Sequence, residues 1–275
     1  MAHVDEIKIG TFCWAELSTT NQQGAKDFYT NLFGWTATDL PIGPDQVYTM
    51  LKIDEREVGA ATTLRSDQIE QGVPSHWMLY VAVDNADAAA AKAKTLGAKV
   101  FVEPFDVFDA GRMTVLQDPT GAVFSIWQAI KSIGIRITEV PGTLCWADLM
   151  TSDQQAAATF YPSLFGWGLE PGTDHPDYLH ITNQGQFIGG IPPVETSAGR
   201  PSHWLAYFLV TQLETSIEQA KKDGGKILVP ATDISKVGRF AVVQDPQGAV
   251  FALFQLETPT TLVALRTNGD SKGNT

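Results

Sequence analysis

Two carboxylates stand in otherwise apolar stretches, Glu16 in Phe12-Cys13-Trp14-Ala15-Glu16-Leu17 and Asp148 in Leu144-Cys145-Trp146-Ala147-Asp148-Leu149. A carboxylate in an apolar hollow has its pKa raised by desolvation and lowered by a nearby cation, and so can act as a general base toward a substrate hydroxyl. Arg112 and Arg239, each following a glycine, are the candidate cations. Such a pair either orients a carbonyl or hydroxyl ligand or is a structural link from strand to loop. His76 and His203 share the context Pro-Ser-His-Trp. Glu16, His76, Asp148 and His203 are therefore the candidate catalytic groups. Trp14, Tyr80 and Arg112, with Trp146, Tyr207 and Arg239, are the candidate ligand-binding groups. A serine-hydrolase elbow and the Walker and Rossmann glycine patterns are absent from the sequence.

These residues come in pairs because the chain is written twice. Gly10–Leu17 returns as Gly142–Leu149, and Phe28-Tyr29 and Leu32-Phe33-Gly34-Trp35 return as Phe160-Tyr161 and Leu164-Phe165-Gly166-Trp167. Gln117-Asp118-Pro119 returns as Gln244-Asp245-Pro246. Self-similarity at so long a period means a duplicated domain rather than a solenoid.

Each copy divides again into two units. In the first unit, residues 11–17 alternate as a strand, and a helix follows from about 21 to 33. Thr19 or Thr20 is its expected N-cap, and Gly34 its stop. Strands at 35–39, 47–53 and 57–64 complete the unit. The second unit repeats the order, with a strand at 77–83, a helix from Asp84 or Asn85 to about 96, and strands at 99–103, 113–117 and 123–128. Asp118-Pro119-Thr120-Gly121 turns the last hairpin. Strand alternation puts His76, Met78, Tyr80 and Ala82 on one face. It also groups Phe12 with Trp14 and Glu16, and Leu144 with Trp146 and Asp148. Aromatics mixed with isolated polar groups are how a small-molecule pocket is lined.

A chain of 275 residues, 44% hydrophobic and 18% charged, has room for two domains with their own cores. Its net charge of -12 argues against a nucleic-acid partner, which would need a basic face. No apolar run is long enough for a bilayer and no secretory leader is visible, so a cytoplasmic protein without membrane partners is expected. Cys13 and Cys145 occupy equivalent positions and are expected to be small buried residues rather than a disulfide. The tail 258–275 is expected to be flexible.

Four strand–helix–three-strand units, the Cys-Trp-Ala opening strand, the Phe-Tyr…Leu-Phe-Gly-Trp helix end and the Asp-Pro-x-Gly hairpin together resemble the vicinal oxygen chelate superfamily. That group holds glyoxalase I, extradiol dioxygenases and bleomycin-resistance proteins. The tandem arrangement is especially similar to two-domain glyoxalase-like proteins. The resemblance implies an α+β fold of four βαβββ units, with glyoxalase-like domains at 7–130 and 138–257 and sheets curled into cups. It also implies metal ligands at inward strand positions. Carried over, those positions fall at Phe12, Met78 and Ser125, and at Leu144, Leu205 and Ala252. The remaining strand offers only Gly59-Ala60-Ala61 or Gly189-Gly190-Ile191. None is a His, Glu or Gln, so no metal and no other cofactor is expected. The expected activity is binding of a small aromatic or oxygenated metabolite by a monomer or homodimer. The alternatives are a metal-dependent lyase or dioxygenase using a shifted set (His76 with Glu16, or His203 with Asp148 and His180) and non-catalytic sequestration of a drug or toxin.

Overall fold

The structure, a computed structural model, describes residues 2–44, 46–173, 175–197 and 199–258. The segment 259–275, which holds nearly all of the expected flexible tail, lies outside the described residues.

The chain opens with β1 (Ala2–His3) and continues with β2 (Phe12–Thr19), α1 (Gln22–Phe33), β3 (Thr36–Gly43), β4 (Gln46–Ile53) and β5 (Arg56–Thr63). After a short α2 (Ser66–Glu70) come β6 (His76–Ala82), α3 (Ala86–Thr95), β7 (Lys99–Val107), β8 (Gly111–Gln117) and β9 (Val123–Ala129). The connector carries β10 (Ile137–Thr138), which pairs with β1. The second copy runs β11 (Leu144–Met150), α4 (Gln154–Phe165), β12 (Gly168–Pro171), β13 (Leu179–Asn183) and β14 (Gln186–Ile191). It closes with β15 (His203–Leu209), α5 (Leu213–Lys222), β16 (Lys226–Ile234), β17 (Gly238–Gln244) and β18 (Val250–Leu256).

Local chemistry sets these limits. Asn21, not Thr19 or Thr20, caps α1, its side chain accepting from the Gly24 N–H, and Thr19 is drawn into the end of β2. Gly34 and Gly166 end α1 and α4 at φ 70° and 75°, a left-handed conformation that costs glycine nothing.

Each copy builds its own eight-stranded mixed sheet, in the orders β3-β4-β5-β2-β6-β9-β8-β7 and β12-β13-β14-β11-β15-β18-β17-β16. The fold is thus α+β, with two units pairing antiparallel at β2–β6 and at β11–β15. Both cups form within a copy.

The helix-side faces of the two sheets merge into one core that spans both copies. The duplicated motifs lie in this seam. The Tyr29 hydroxyl donates to Asp245 Oδ2 at 3.0 Å, and Tyr161 to Asp118 Oδ2 at 2.8 Å, each across the copies. Trp77 and Trp204 donate to those tyrosine oxygens at 2.9 Å. Trp35 donates to the Gly142 carbonyl and Trp167 to the Gly10 carbonyl, at 3.1 and 2.7 Å. Buried polar atoms need such partners, so each interface residue requires its counterpart in the other copy.

One face assignment from alternation is overturned. The β2–β6 register shifts between Phe12 and Trp14, and the β11–β15 register between Leu144 and Trp146. An extra residue in one strand reverses the side-chain alternation beyond it. Phe12 therefore packs into the central core against Trp167 and Trp204, with ring centroids 5.6 and 5.1 Å apart, while Cys13 and Trp14 line the cup. Leu144 likewise joins the central core and Cys145 and Trp146 the second cup. Phe12 and Leu144 are thus not inward positions. Both cysteines are buried.

Candidate functional site

The concave face of each sheet is built around one carboxylate. In the first cup Glu16 projects from β2 opposite Met78 of β6 and beside Ala60 of β5. The Tyr48 hydroxyl donates to Glu16 Oε2 at 2.7 Å, and Trp14 Nε1 donates to the Tyr48 oxygen at 3.0 Å. The Tyr80 hydroxyl reaches the same carboxylate from β6. Burial pushes the Glu16 pKa above its ordinary value, and the two phenols pull it part of the way back. Neighbouring atoms crowd Glu16, yet its side chain stays partly open to solvent, as expected at the floor of an open bowl.

The second cup repeats the cage with a shorter acid. Asp148 Oδ1 accepts from Tyr178 at 2.6 Å and from Trp146 Nε1 at 2.9 Å, and Oδ2 accepts from Tyr207 at 2.7 Å. Asp148 is only 5% exposed. Burial raises its pKa, against the pull of Tyr178, Tyr207, Trp146 and the nearby His180. The phenols of both cages are held well above the usual tyrosine range, by burial first and by the carboxylate charge second.

Aspartate reaches one methylene less far than glutamate, so the tyrosine must come closer to the sheet. It does so over Gly190, the strand partner of Asp148, where a Cβ would overlap the Tyr178 phenol. In the first cup the matching partner of Glu16 is Ala60.

Tyr48 and Tyr178 escaped the sequence reading. A signal was present: each stands two residues before the matched pair Met50 and His180. Their distance in sequence from the carboxylates hid the contact.

The arginines are placed elsewhere. The expected pairing of Arg112 with Glu16, and of Arg239 with Asp148, is not formed. Arg112 binds Asp87 at 2.7 Å, at the start of α3, and Asp106 at 2.8 Å, on β7. Arg239 pairs with Glu214 and Asp233 in the same way. Both are half-buried struts from the strand next to a sheet edge to a helix N-terminus, where acidic residues are favoured. They do not line the cups.

His76 and His203 sit at the cup rims. Their Nδ1–H groups donate to the carbonyls of Pro74 at 2.8 Å and Pro201 at 2.9 Å. A carbonyl only accepts, which fixes the proton on Nδ1. His180 packs against Trp146, Tyr178 and Phe187 in the second cup. Among the described residues no three His, Cys, Asp or Glu side chains converge as metal ligands, so the three-residue set His203, Asp148 and His180 is not assembled. The inward positions that the family uses for metals carry Met78 and Ser125, or Leu205 and Ala252, and these do not fit a divalent cation.

The cups differ at their lips. Leu40 of β3 faces inward opposite Tyr48, and Phe105 of β7 opposite Met113, both over 40% exposed. The second cup has Glu170 opposite His180, and Thr232 opposite Phe240. Two surface hollows lie outside both bowls. One of about 300 Å³ lies between α1 and the start of α5, and one of about 260 Å³ lies beside Ile7 and Trp127. The first holds no ionisable side chain, so the cages remain the better chemical candidates. Among the described residues no helix is long and apolar enough to cross a membrane.

The family profile described as the Glyoxalase/Bleomycin resistance protein/Dioxygenase superfamily matches residues 11–126 and 143–253. CFP32 of Mycobacterium bovis, provisionally described as a glyoxylase, is 37% identical over 256 residues, 91% of this chain and 96% of that protein. The anthracycline biosynthesis protein DnrV of Streptomyces peucetius is 33% identical over 262 residues, covering 90% and 94%. The Mn(II)-bound glyoxalase of Novosphingobium aromaticivorans superposes with a TM-score of 0.63 at 15% identity, over 90% of this chain and 82% of that one.

Proposed function

Because this chain belongs to the glyoxalase, bleomycin resistance protein and dioxygenase superfamily, we propose that its first cup binds a small aromatic, oxygenated metabolite without a metal ion. The observation that carries this is the Glu16 cage, an acceptor at the floor of an aromatic bowl that solvent still touches. Apolar walls supply contact area and the isolated polar group fixes orientation. The names of the relatives in anthracycline biosynthesis favour an oxygenated aromatic ligand.

Glu16 accepts a hydrogen bond from a ligand hydroxyl at its solvent-facing side, while Tyr48 holds the other. A raised pKa makes it a better proton acceptor than an exposed carboxylate. Trp14 acts through Tyr48, fixing the phenol that fixes the acid. Arg112 and Arg239 drop out of the ligand set, and Tyr48 enters it.

The test is a fluorescence and thermal-shift screen of oxygenated aromatics against the wild type and Glu16→Ala. Binding that falls at least tenfold in Glu16→Ala, with ligand recovered unchanged, supports a binder; its conversion to product supports an enzyme. Stoichiometric Mn, Fe, Ni or Zn in the purified protein, removable only with loss of binding, would overturn the metal-free reading.

A further inference from the structure

The hollow beside Ile7 and Trp127 has a chemistry that neither carboxylate cage uses. It holds about 260 Å³ where the N-terminal segment, the turn after β6, the end of β9 and the connector meet. Ile7, Val83 and Ile133 give it aliphatic walls, and Trp127 gives it an aromatic one. Trp127 Nε1 already donates to the Ser132 carbonyl at 2.9 Å, so what it offers a ligand is ring surface. Ile7 and Trp127 also pack against the apolar cluster of the first cup, which holds that wall in place.

Two carboxylates, Glu6 and Asp84, stand on the same lining, and both are exposed. Among the described residues neither side chain has a hydrogen-bond or ion-pair partner. Other acids of this copy are occupied: Asp87 and Asp106 hold Arg112, and Asp109 holds Lys131. Asp84 lies two residues ahead of α3, where a helix dipole favours an acid, but Glu6 lies on no helix.

The second copy turns the same corner after β15 with Thr211 in place of Asp84, and it carries Phe254 in place of Trp127. The hollow at that corner, between α1 and α5, has no carboxylate among its described lining residues. Two unmatched negative charges over an indole wall thus belong to the first copy. They deepen the negative potential of a chain whose net charge is -12. A cation is drawn to such a mouth, and the electron-rich face of an indole attracts it further.

We propose that this hollow is a second ligand site, for a small organic ammonium ion. The charge lies toward Glu6 and Asp84, and the alkyl body lies against Ile7, Val83 and Ile133. A carboxylate ligand is repelled by the same two acids, and a neutral one gains only the apolar walls.

The experiment titrates pentylamine (an ammonium ion at neutral pH), 1-pentanol and pentanoate into the full chain. Binding is read from the NMR methyl signals of Ile7, Val83 and Ile133. The ammonium ion is expected to bind about tenfold tighter than the alcohol, the sum of two exposed ion pairs and one cation–π contact. Pentanoate should not bind. Glu6→Gln and Asp84→Asn should each weaken pentylammonium about threefold, and the double variant should bring it level with pentanol. Pentanol affinity and the melting temperature should stay unchanged, since neither acid holds another part of the fold. Added salt should weaken the ammonium ion alone. Equal affinity for amine and alcohol, a preference for pentanoate, an unaltered double variant, or no binding of any probe overturns the proposal. Tighter binding of a lysine-bearing peptide than of pentylamine overturns it in favour of a protein partner.

Discussion

The two cups hold the same cage by different means, and the seam between the copies does not differ in this way. In the first cup a long acid, Glu16, reaches its tyrosine over Ala60; in the second a short acid, Asp148, needs its tyrosine pressed onto Gly190. Asp148 takes three hydrogen bonds and is nearly sealed, whereas Glu16 keeps contact with solvent. The lips diverge in parallel, apolar around Glu16 and polar around Asp148. Along the seam, by contrast, Tyr29–Asp245 and Tyr161–Asp118 are the same bond made twice. A packed interface between copies tolerates little change, since each side is the other's partner. A cup facing solvent can drift, and one of the two can specialise.

Four measurements would break or sharpen this contrast. The seam should give the largest and most even effects: Trp35→Ala and Trp167→Ala each remove a buried indole and its bond to a carbonyl, costing roughly 3–5 kcal/mol in denaturant unfolding. A large inequality between them would deny the equivalence of the two halves. Next comes the acid in each cage. Asp148→Ala leaves the Tyr178 and Tyr207 hydroxyls without their acceptor in a nearly closed site and should cost about 2–4 kcal/mol, while Glu16→Ala, relieved by solvent, should cost about half that and harm ligand binding instead. The reverse ranking would make the second cup the working one. Adding one methyl to Gly190 should cost about 1–3 kcal/mol by overlap with Tyr178, whereas Ala60→Gly should cost about 0.5–1 kcal/mol.

The smallest effect is one of pH. Burial raises the folded pKa of Asp148 above 3.8 and that of Glu16 above 4.5. The folded protein then binds more protons than the unfolded chain, so this contribution is full below those ordinary values. It is lost as pH rises through the raised ones. Asp148→Asn and Glu16→Gln should each flatten that decline in stability curves taken from about pH 4 upward. Curves parallel to the wild type would show that the cages leave the carboxylates unperturbed.

The repeat made much of the fold legible. Helix stops at Gly34 and Gly166, the Asp-Pro hairpins and the four-unit order are local signals, written where they act. The candidate site was half legible. Trp14, Glu16, Tyr80 and their counterparts do face one bowl, because short-range alternation holds between the bulge and the strand end. Phe12 and Leu144 were misplaced because a bulge inserts one residue without any compositional mark. Arg112 and Arg239 were misplaced because several carboxylates compete for a guanidinium, and for Arg112 the winners are Asp87 at the start of α3 and Asp106 on the neighbouring strand.

Sequence alone determined the duplication and the strand–helix order, since each is a matter of residue identity and local period. Only the tertiary structure decided which faces meet. It turned the most faithfully repeated residues, Tyr29, Trp35, Trp77 and Asp118 with their twins, into the seam between copies. It also brought Tyr48 and Tyr178 onto carboxylates some thirty residues away. Those contacts depend on strand pairing across the sheet, and pairing is fixed by burial of the whole face rather than by any one segment.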